Sequence, residues 1–196
     1  MKFEWDERKS LDCFRIRGFY FHLAAKVFGD PQRKVKLDSR FIYGEDRYVA
    51  LGRVDGRVLT IVYTMRNDVI RIISARKANS REEKNMKTVR VSIDVTKPLP
   101  ESLGLVNKQI LDATTEQDIA QHKAIDDAEA LLDAAKFARR VRRRLGFSQA
   151  EFAMRIDVSL DTIRNWEQGK RSPTGAAKAL LKVLDKAPEV ALAALQ

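Results

Sequence analysis

Residues 147–173 read FSQAEFAMRIDVSLDTIRNWEQGKRSP, and no other stretch of the chain says as much about what it does. Ser148 can cap a helix whose apolar positions Phe152, Ala153 and Ile156 recur at helical spacing. A polar turn around Asp157 and Ser159 breaks that helix. Ser159 can cap a second one, with Ile163 and Trp166 inward at i and i+3. Gly169 stops it, followed by the cations Lys170 and Arg171 and by Pro173. Two short helices crossing at a tight turn, the second exposing Leu160, Asp161, Arg164 and Asn165, describe a helix-turn-helix with a reading helix.

Working outward, SQAEFA, VSLDTIRNWEQG and the trailing KRSP resemble the lambdoid-repressor (Xre-type) family over roughly Asp133 to Leu184. The resemblance implies binding to operator DNA. In that family the side chain opening the first motif helix contacts DNA, and here that residue is Gln149. The start and middle of the reading helix match Ser159, Leu160, Asp161, Arg164 and Asn165, with Lys170 and Arg171 behind them. Asn165 suits adenine, and Arg164 suits guanine or a phosphate. Leu160 departs from the polar residue often found there, leaving a thymine methyl or nothing to touch.

The whole chain has 196 residues, 44% of them apolar, enough for one large core or two small ones. Its single Cys13 excludes an internal disulfide and any cysteine-rich zinc site. Cys13, His22 and His122 read as structural or exposed residues, and no metal or cofactor is called for. No run approaches a membrane span and the start, MKFEWDERKS, is too charged for a signal peptide, so a soluble cytoplasmic protein is expected. The net charge of +10 is uneven: net +7 over residues 1–85, net −3 over 86–132 and net +6 over 133–196. Two basic blocks around an acidic connector suggest two polyanion contacts, with the connector screening one.

In the first block, DERKSLDCFRIRG reads as a helix stopped by Gly18, and a second helix runs from Phe19 to Phe28. Phe41–Tyr43, Arg47–Arg53, Arg57–Met65 and Asp68–Arg76 read as strands, with tight hairpins at Val54-Asp55-Gly56 and Arg66-Asn67-Asp68. Serial hairpins give an antiparallel sheet with the two helices on one face. Ser80 to Asn85 closes the block as a short charged helix. The expected fold class is α+β, helices on an antiparallel sheet, followed by an all-α helix-turn-helix domain.

FEWDERK, AAKVFGDP, YGEDRYVALGR and VIRIISARKANSREE together resemble the BrnT toxins, of the wider RelE-like group of small ribonucleases, across residues 1–85. The resemblance implies an endoribonuclease that cuts without metal. Such cleavage needs a base for the 2′-hydroxyl, cations for the phosphorane charge and a proton for the leaving oxygen. Arginine forks match phosphate oxygens. The candidate cations are Arg40, Arg47, Arg66, Arg71, Arg76, Lys77 and Arg81, and the candidate bases are Glu45 and Glu82. Strict alternation puts Arg71 and Lys77 on one strand face and Ser74 and Arg76 on the other. Two departures stand out: Arg17 where relatives often have histidine, and Met86 where a tyrosine is common.

MKTVRVSIDVTKPLPESLG, from Met86, reads like the opening of a fresh protein, a strand over Thr88–Val95 and then a loop at Pro98 and Pro100. A toxin followed by a DNA-binding antitoxin is the order the resemblance implies, although BrnT usually pairs with a ribbon-helix-helix partner. A helix-turn-helix partner is found in the HigA and MqsA antitoxins. Met86 as an ordinary methionine within one long regulator stays open, as does a natural fusion against two cognate chains. Thr114 with Gln117 makes a capping box for a helix through Ile119 and Ile125 that continues to Arg144. The Arg139–Arg144 cluster suits backbone phosphates. Ala176–Lys186 reads as a closing helix, and the apolar tail from Pro188 either dimerises or packs on its own domain.

Three segments result: a toxin-like domain (1–85), an acidic neutralising connector (86–132) and a DNA-binding domain (133–196). The expected partners are RNA, operator DNA and further copies in a homodimer or higher oligomer. Two other readings are a transcription regulator with an inactive N-terminal sensing domain, and an RNA-processing enzyme that uses the motif only to locate on nucleic acid.

Overall fold

The computed structural model describes residues 1–84, 86 and 106–195. They fall into two units, one of residues 1–38 and 47–124, the other of residues 39–46 and 125–196.

The first unit is a five-stranded sheet in the order β1-β5-β4-β3-β2. The strands are β1 (Lys2–Trp5), β2 (Lys34–Leu37), β3 (Arg47–Val54), β4 (Arg57–Arg66) and β5 (Val69–Lys77). Asp55 and Gly56 (φ +49° and +78°) turn β3 into β4, and Asn67 and Asp68 (φ +46° and +64°) turn β4 into β5. Consecutive positive φ angles match the twist of paired strands, as the sequence signals predict. Helix α1 (Glu7–Arg17) is capped by Asp6, whose carboxylate accepts from the Arg8 and Lys9 amides, and Gly18 ends it at φ +81°.

Helix α2 (Phe21–Ala25) passes into a 3-10 turn at Lys26–Gly29, so the expected Phe19–Phe28 helix is a broken one. Cys13, Phe21, Leu23, Ala24 and Phe28 pack on Ala50, Leu59, Ile61, Ile72 and Ala75 to form the core. The sheet is not purely antiparallel. Lys2–Trp5, not anticipated as a strand, pairs parallel to β5. A short α3 (Ser80–Lys84) follows β5.

The first unit also holds α4 (Lys108–Ala113), unforeseen in the sequence, and the first turns of α5 (Glu116–Arg144). Asn107 caps α4 through the Ile110 amide, and α5 opens on Thr115 with Asp118, which exchange side-chain and amide bonds at 2.9 and 3.2 Å. The capping box thus sits one residue beyond Thr114–Gln117, because Thr114 closes α4. The strand expected at Thr88–Val95 lies outside the described residues.

The second unit gathers the remainder of α5 with α6 (Gln149–Arg155), α7 (Leu160–Glu167), α8 (Gly175–Lys186) and α9 (Pro188–Ala194). Phe137, Val141, Phe152, Ile163, Trp166, Leu181 and Leu184 form its core. Ala191 is buried there, and Leu192 and Leu195 pack against it, so the tail contributes to its own domain. Phe41–Tyr43, expected as a strand, instead belongs to a loop in this unit. Ile42 is buried among the helices, so its apolar side chain is satisfied without a strand partner.

Candidate nucleic-acid interfaces

In the second unit, Ser148 and Ser159 cap α6 and α7 through the Glu151 and Thr162 amides at 3.2 and 3.1 Å. Glu151 returns the bond to Ser148, which holds its carboxyl below the usual range. Between the helices Asp157 takes φ +53°, and past α7 Gly169 takes φ +70°, with the Lys170 and Arg171 amides donating to the Asn165 carbonyl. Asp161, Arg164, Lys170 and Arg171 are exposed, and Asn165 is half-buried. Arg164 pairs with Asp161 at 3.2 Å across one turn, an exposed contact that a phosphate or base edge could replace at small cost. Leu160 is half-buried against the core, so packing accounts for it without DNA.

The basic cluster before the motif is largely spent inside the unit. Glu167, 4% exposed, accepts from Arg142 at 2.5 and 2.9 Å and from Gln149 Nε2 at 2.9 Å, and its carbonyl accepts from Arg139 at 2.6 Å. Burial pushes the Glu167 carboxyl up, but Arg142, Gln149 and Arg139 together hold it below its ordinary value. One carboxylate therefore joins α5, α6 and α7 and fixes Gln149 at the opening of α6. Arg144 bonds Asp185, and Arg140 lies over the Phe137 ring. Arg143 is exposed. Sequence spacing gave no sign of Glu167, since its partners lie 18 to 28 residues away.

In the first unit, one irregularity decides which cations share a face. Val62 pairs with Ser74 and Tyr63 with Ile72, so Ile73 has no partner in the ladder. Such a bulge resets the alternation. Beyond it Ala75 and Lys77 lie on the core face, opposite Ile61 and Leu59, while Ser74 and Arg76 join Arg71 on the other. Alternation counted along the strand pairs Arg71 with Lys77, and the bulge corrects this.

On that second face Glu4, Arg71, Thr64 and Arg47 form one cross-strand row. Arg76 pairs with Thr60, four residues along β4 and about 13 Å away. Ser74 lies between them, its hydroxyl accepting from Arg17, which also reaches the Ala75 carbonyl at 2.8 Å. Arg17 and Ser74 were not among the candidate site residues, and only the bulge brings them between Arg71 and Arg76.

Arg71, Arg66 and Arg76 on this face each meet a carboxylate. Arg71 bonds Glu4 at 3.0 Å, with Arg66 3.9 Å from the same carboxylate. Arg76, 6% exposed, grips Glu82 through two bonds of 2.7 and 2.8 Å. Glu82 also forms a capping box with Asn79 at the head of α3 and receives the Thr60 hydroxyl. Burial raises the Glu82 carboxyl, but Arg76, Asn79 and Thr60 prevail and hold it low. So placed, Glu82 occupies Arg76 as a phosphate would, and it takes up a proton reluctantly. Arg47 is buried at the start of β3, and Arg81 is exposed on α3. Lys77 turns to the core side and donates to the Thr114 carbonyl at 3.3 Å. Arg40 and Glu45 belong to the second unit and are not part of this row.

Residues 5–82 match the family model described as "Ribonuclease toxin, BrnT, of type II toxin-antitoxin system", and residues 139–190 match that described as "Helix-turn-helix". Over 49 residues the chain is 39% identical to Antitoxin HigA-2 of Vibrio cholerae, an alignment covering 25% of this chain and 47% of that protein. The chain thus spans about half the length of the curated relative it matches. Fold and matches together define a chain in which a toxin-like domain is joined to a helix-turn-helix domain. Its sheet unit carries a BrnT-type toxin domain, and an Xre-type helix-turn-helix follows it. Among the described residues no helix is long and apolar enough to cross a membrane.

Proposed function

We propose that the chain is a type II toxin–antitoxin protein. In this reading residues 1–85 are a metal-independent endoribonuclease, the segment beginning at Met86 (86–132) neutralises it, and residues 133–196 bind the operator as a dimer to regulate their own expression. Arg71 and Arg76 stabilise charge on the phosphate, and Arg47 binds the RNA strand.

The observation that carries the neutralisation is a chain of contacts ending on Arg76. Glu116, at the head of α5, accepts from the Ser80 amide at 2.9 Å and from the Ser80 hydroxyl, which fixes the start of α3. That helix carries Glu82, and Glu82 fills the Arg76 fork. Three further contacts anchor α4. Leu111 is buried in the sheet unit's core, Asp112 takes Arg57 in two bonds of 2.6 and 2.7 Å, and the Asn107 amide donates to Gly18. Burying one leucine contributes about 1.5–3 kcal/mol, more than the exposed Arg57–Asp112 pair supplies. The segment therefore holds mainly by its apolar anchor, and its acids set the register.

The test is cleavage of single-stranded RNA in chelator by the intact chain, by Glu116→Ala and by Leu111→Asp. The intact chain should be nearly silent, and both variants should cut. Equal rates in all three would leave the segment a mere linker.

A second reading, a regulator with a catalytically silent sheet unit, is favoured by one feature. Arg17, where relatives often have histidine, is committed to Ser74 and Ala75, and Met86, where a tyrosine is common, is buried against Val58 and Ala78. It expects no cleavage from any variant and undiminished operator binding.

A further inference from the structure

A cavity of about 570 Å³ lies between α3 and the head of α5, both within the sheet unit. That volume is in the range of small-molecule sites. Arg81 and Lys84 of α3 and Lys123 of α5 line it. All three are exposed, and their side chains make no ion pair with a described residue. Among the described residues one carboxylate lines the cavity, Glu116, and it accepts from Ser80 rather than from a cation. Ile119 and Ala120 add an apolar strip one turn from Lys123.

Three cations against one carboxylate leave the lining at net +2. Elsewhere in this unit arginines meet carboxylates, as Arg57 meets Asp112 and Arg71 meets Glu4. Here no described acid answers the cations, although Ser80 and Glu116 hold the two walls together. Like charges on the walls of one cleft repel each other and concentrate anions from solution. A phosphate monoester carries about −2 at neutral pH, which matches the lining, and its oxygens can accept from all three cations. The strip of Ile119 and Ala120 gives a flat apolar body, such as a nucleobase, a surface to pack on.

We infer that this cavity binds a nucleoside monophosphate, whose phosphate bridges Arg81 and Lys84 of α3 to Lys123 of α5. A bridging ligand binds only while the two walls are apposed, so it favours the arrangement in which Glu82 fills the Arg76 fork. It therefore helps to keep the sheet unit silent. This regulatory half deepens the neutralisation reading above and rests on it.

The test uses the full chain, with adenosine 5′-monophosphate as the probe and adenosine and inorganic phosphate beside it, all followed by calorimetry. The monophosphate should bind, and Lys123→Ala or Arg81→Ala should each weaken it by about tenfold or more. Lys182→Ala makes the same charge change at an exposed position of α8 and should leave binding as it is. Adenosine and inorganic phosphate should each bind more weakly than the monophosphate, because each offers half of the ligand. Bound monophosphate should slow amide exchange across residues 80–84. No binding, binding that both wall variants leave intact, or phosphate that binds as tightly as the monophosphate overturns the inference.

The regulatory half is read on RNA. Glu116→Ala removes the acid from the lining, so the monophosphate should bind that chain more tightly and slow its cleavage of RNA. Adding Lys123→Ala should abolish the slowing. No slowing, or slowing that persists without Lys123, overturns this half and in the second case places the monophosphate at the cleavage site instead. Failure of the ribonuclease reading looks different, because the monophosphate would bind and protect α3 while the Glu116→Ala chain left RNA uncut.

Discussion

In each unit an arginine–glutamate pair is joined by two hydrogen bonds, Arg76–Glu82 in one and Arg142–Glu167 in the other, and the pairs do opposite work. Glu82 reaches Arg76 six residues back along the chain, and its side chain keeps 28% of its exposure. Glu167 reaches Arg142 across 25 residues, keeps 3%, and also holds Gln149 and, through its carbonyl, Arg139. The first pair closes a local element, α3, onto β5, and in the proposed reading a phosphate of RNA would take the place of its carboxylate. The second ties three helices, and removing its carboxylate unties all of them. The same chemistry makes a stopper in one place and a keystone in the other, and the number of elements each carboxylate joins decides which.

The sharpest way to break this contrast is to remove both carboxylates. Glu167→Ala leaves Arg142 without its partner and should cost about 3–5 kcal/mol, seen as loss of the helical unit's thermal transition. Glu82→Ala also strips a buried arginine, Arg76, but unties only the short α3 and should cost less. It should instead strengthen RNA binding by freeing Arg76, with a steeper salt dependence. Equal destabilisation would erase the distinction.

Next in size is Arg76→Ala in a chain released by Leu111→Asp. It should lower the cleavage rate by about a hundredfold or more, with a smaller change in RNA affinity. An intact rate would remove Arg76 from the chemistry.

On the DNA side, Asn165→Ala or Arg164→Ala should cost about 1–3 kcal/mol on the operator and less on random DNA, by titration at fixed salt. Arg143→Ala should weaken both alike, while Arg142→Ala should act through unfolding. Equal losses on both DNAs from the Asn165 and Arg164 changes would end their base-reading assignment.

The smallest effect is with pH. Glu82 and Glu167 have folded pKa values below their unfolded ones, so their stabilisation is complete above the ordinary carboxylate value of about 4.3. It is lost as pH falls through that value toward the lowered ones. Glu167→Gln should flatten the acid limb of the helical unit's stability curve below the ordinary carboxylate value, as followed by circular dichroism, more than Glu82→Gln flattens that of the sheet unit.

The sequence by itself determined what depends on near neighbours. The caps at Ser148 and Ser159, the stops at Gly18 and Gly169, and the turns at Asp55-Gly56 and Asn67-Asp68 each require particular residues at fixed short spacings, and all are found where they were read. The reading helix and the antiparallel core of the sheet follow from them.

What only the tertiary structure decided involves a partner distant in the chain. The bulge at Ile73 is a property of two strands together, so alternation along β5 alone assigned Lys77 to the wrong face. The parallel pairing of β1 needs β5, more than 60 residues on. Arg139 and Arg142 looked like phosphate ligands until Glu167 claimed them, and Phe41–Tyr43 looked like a strand until the helical core received Ile42. An apolar run or a basic cluster states only that a side chain needs burial or an anion, and the folded chain selects which partner supplies it.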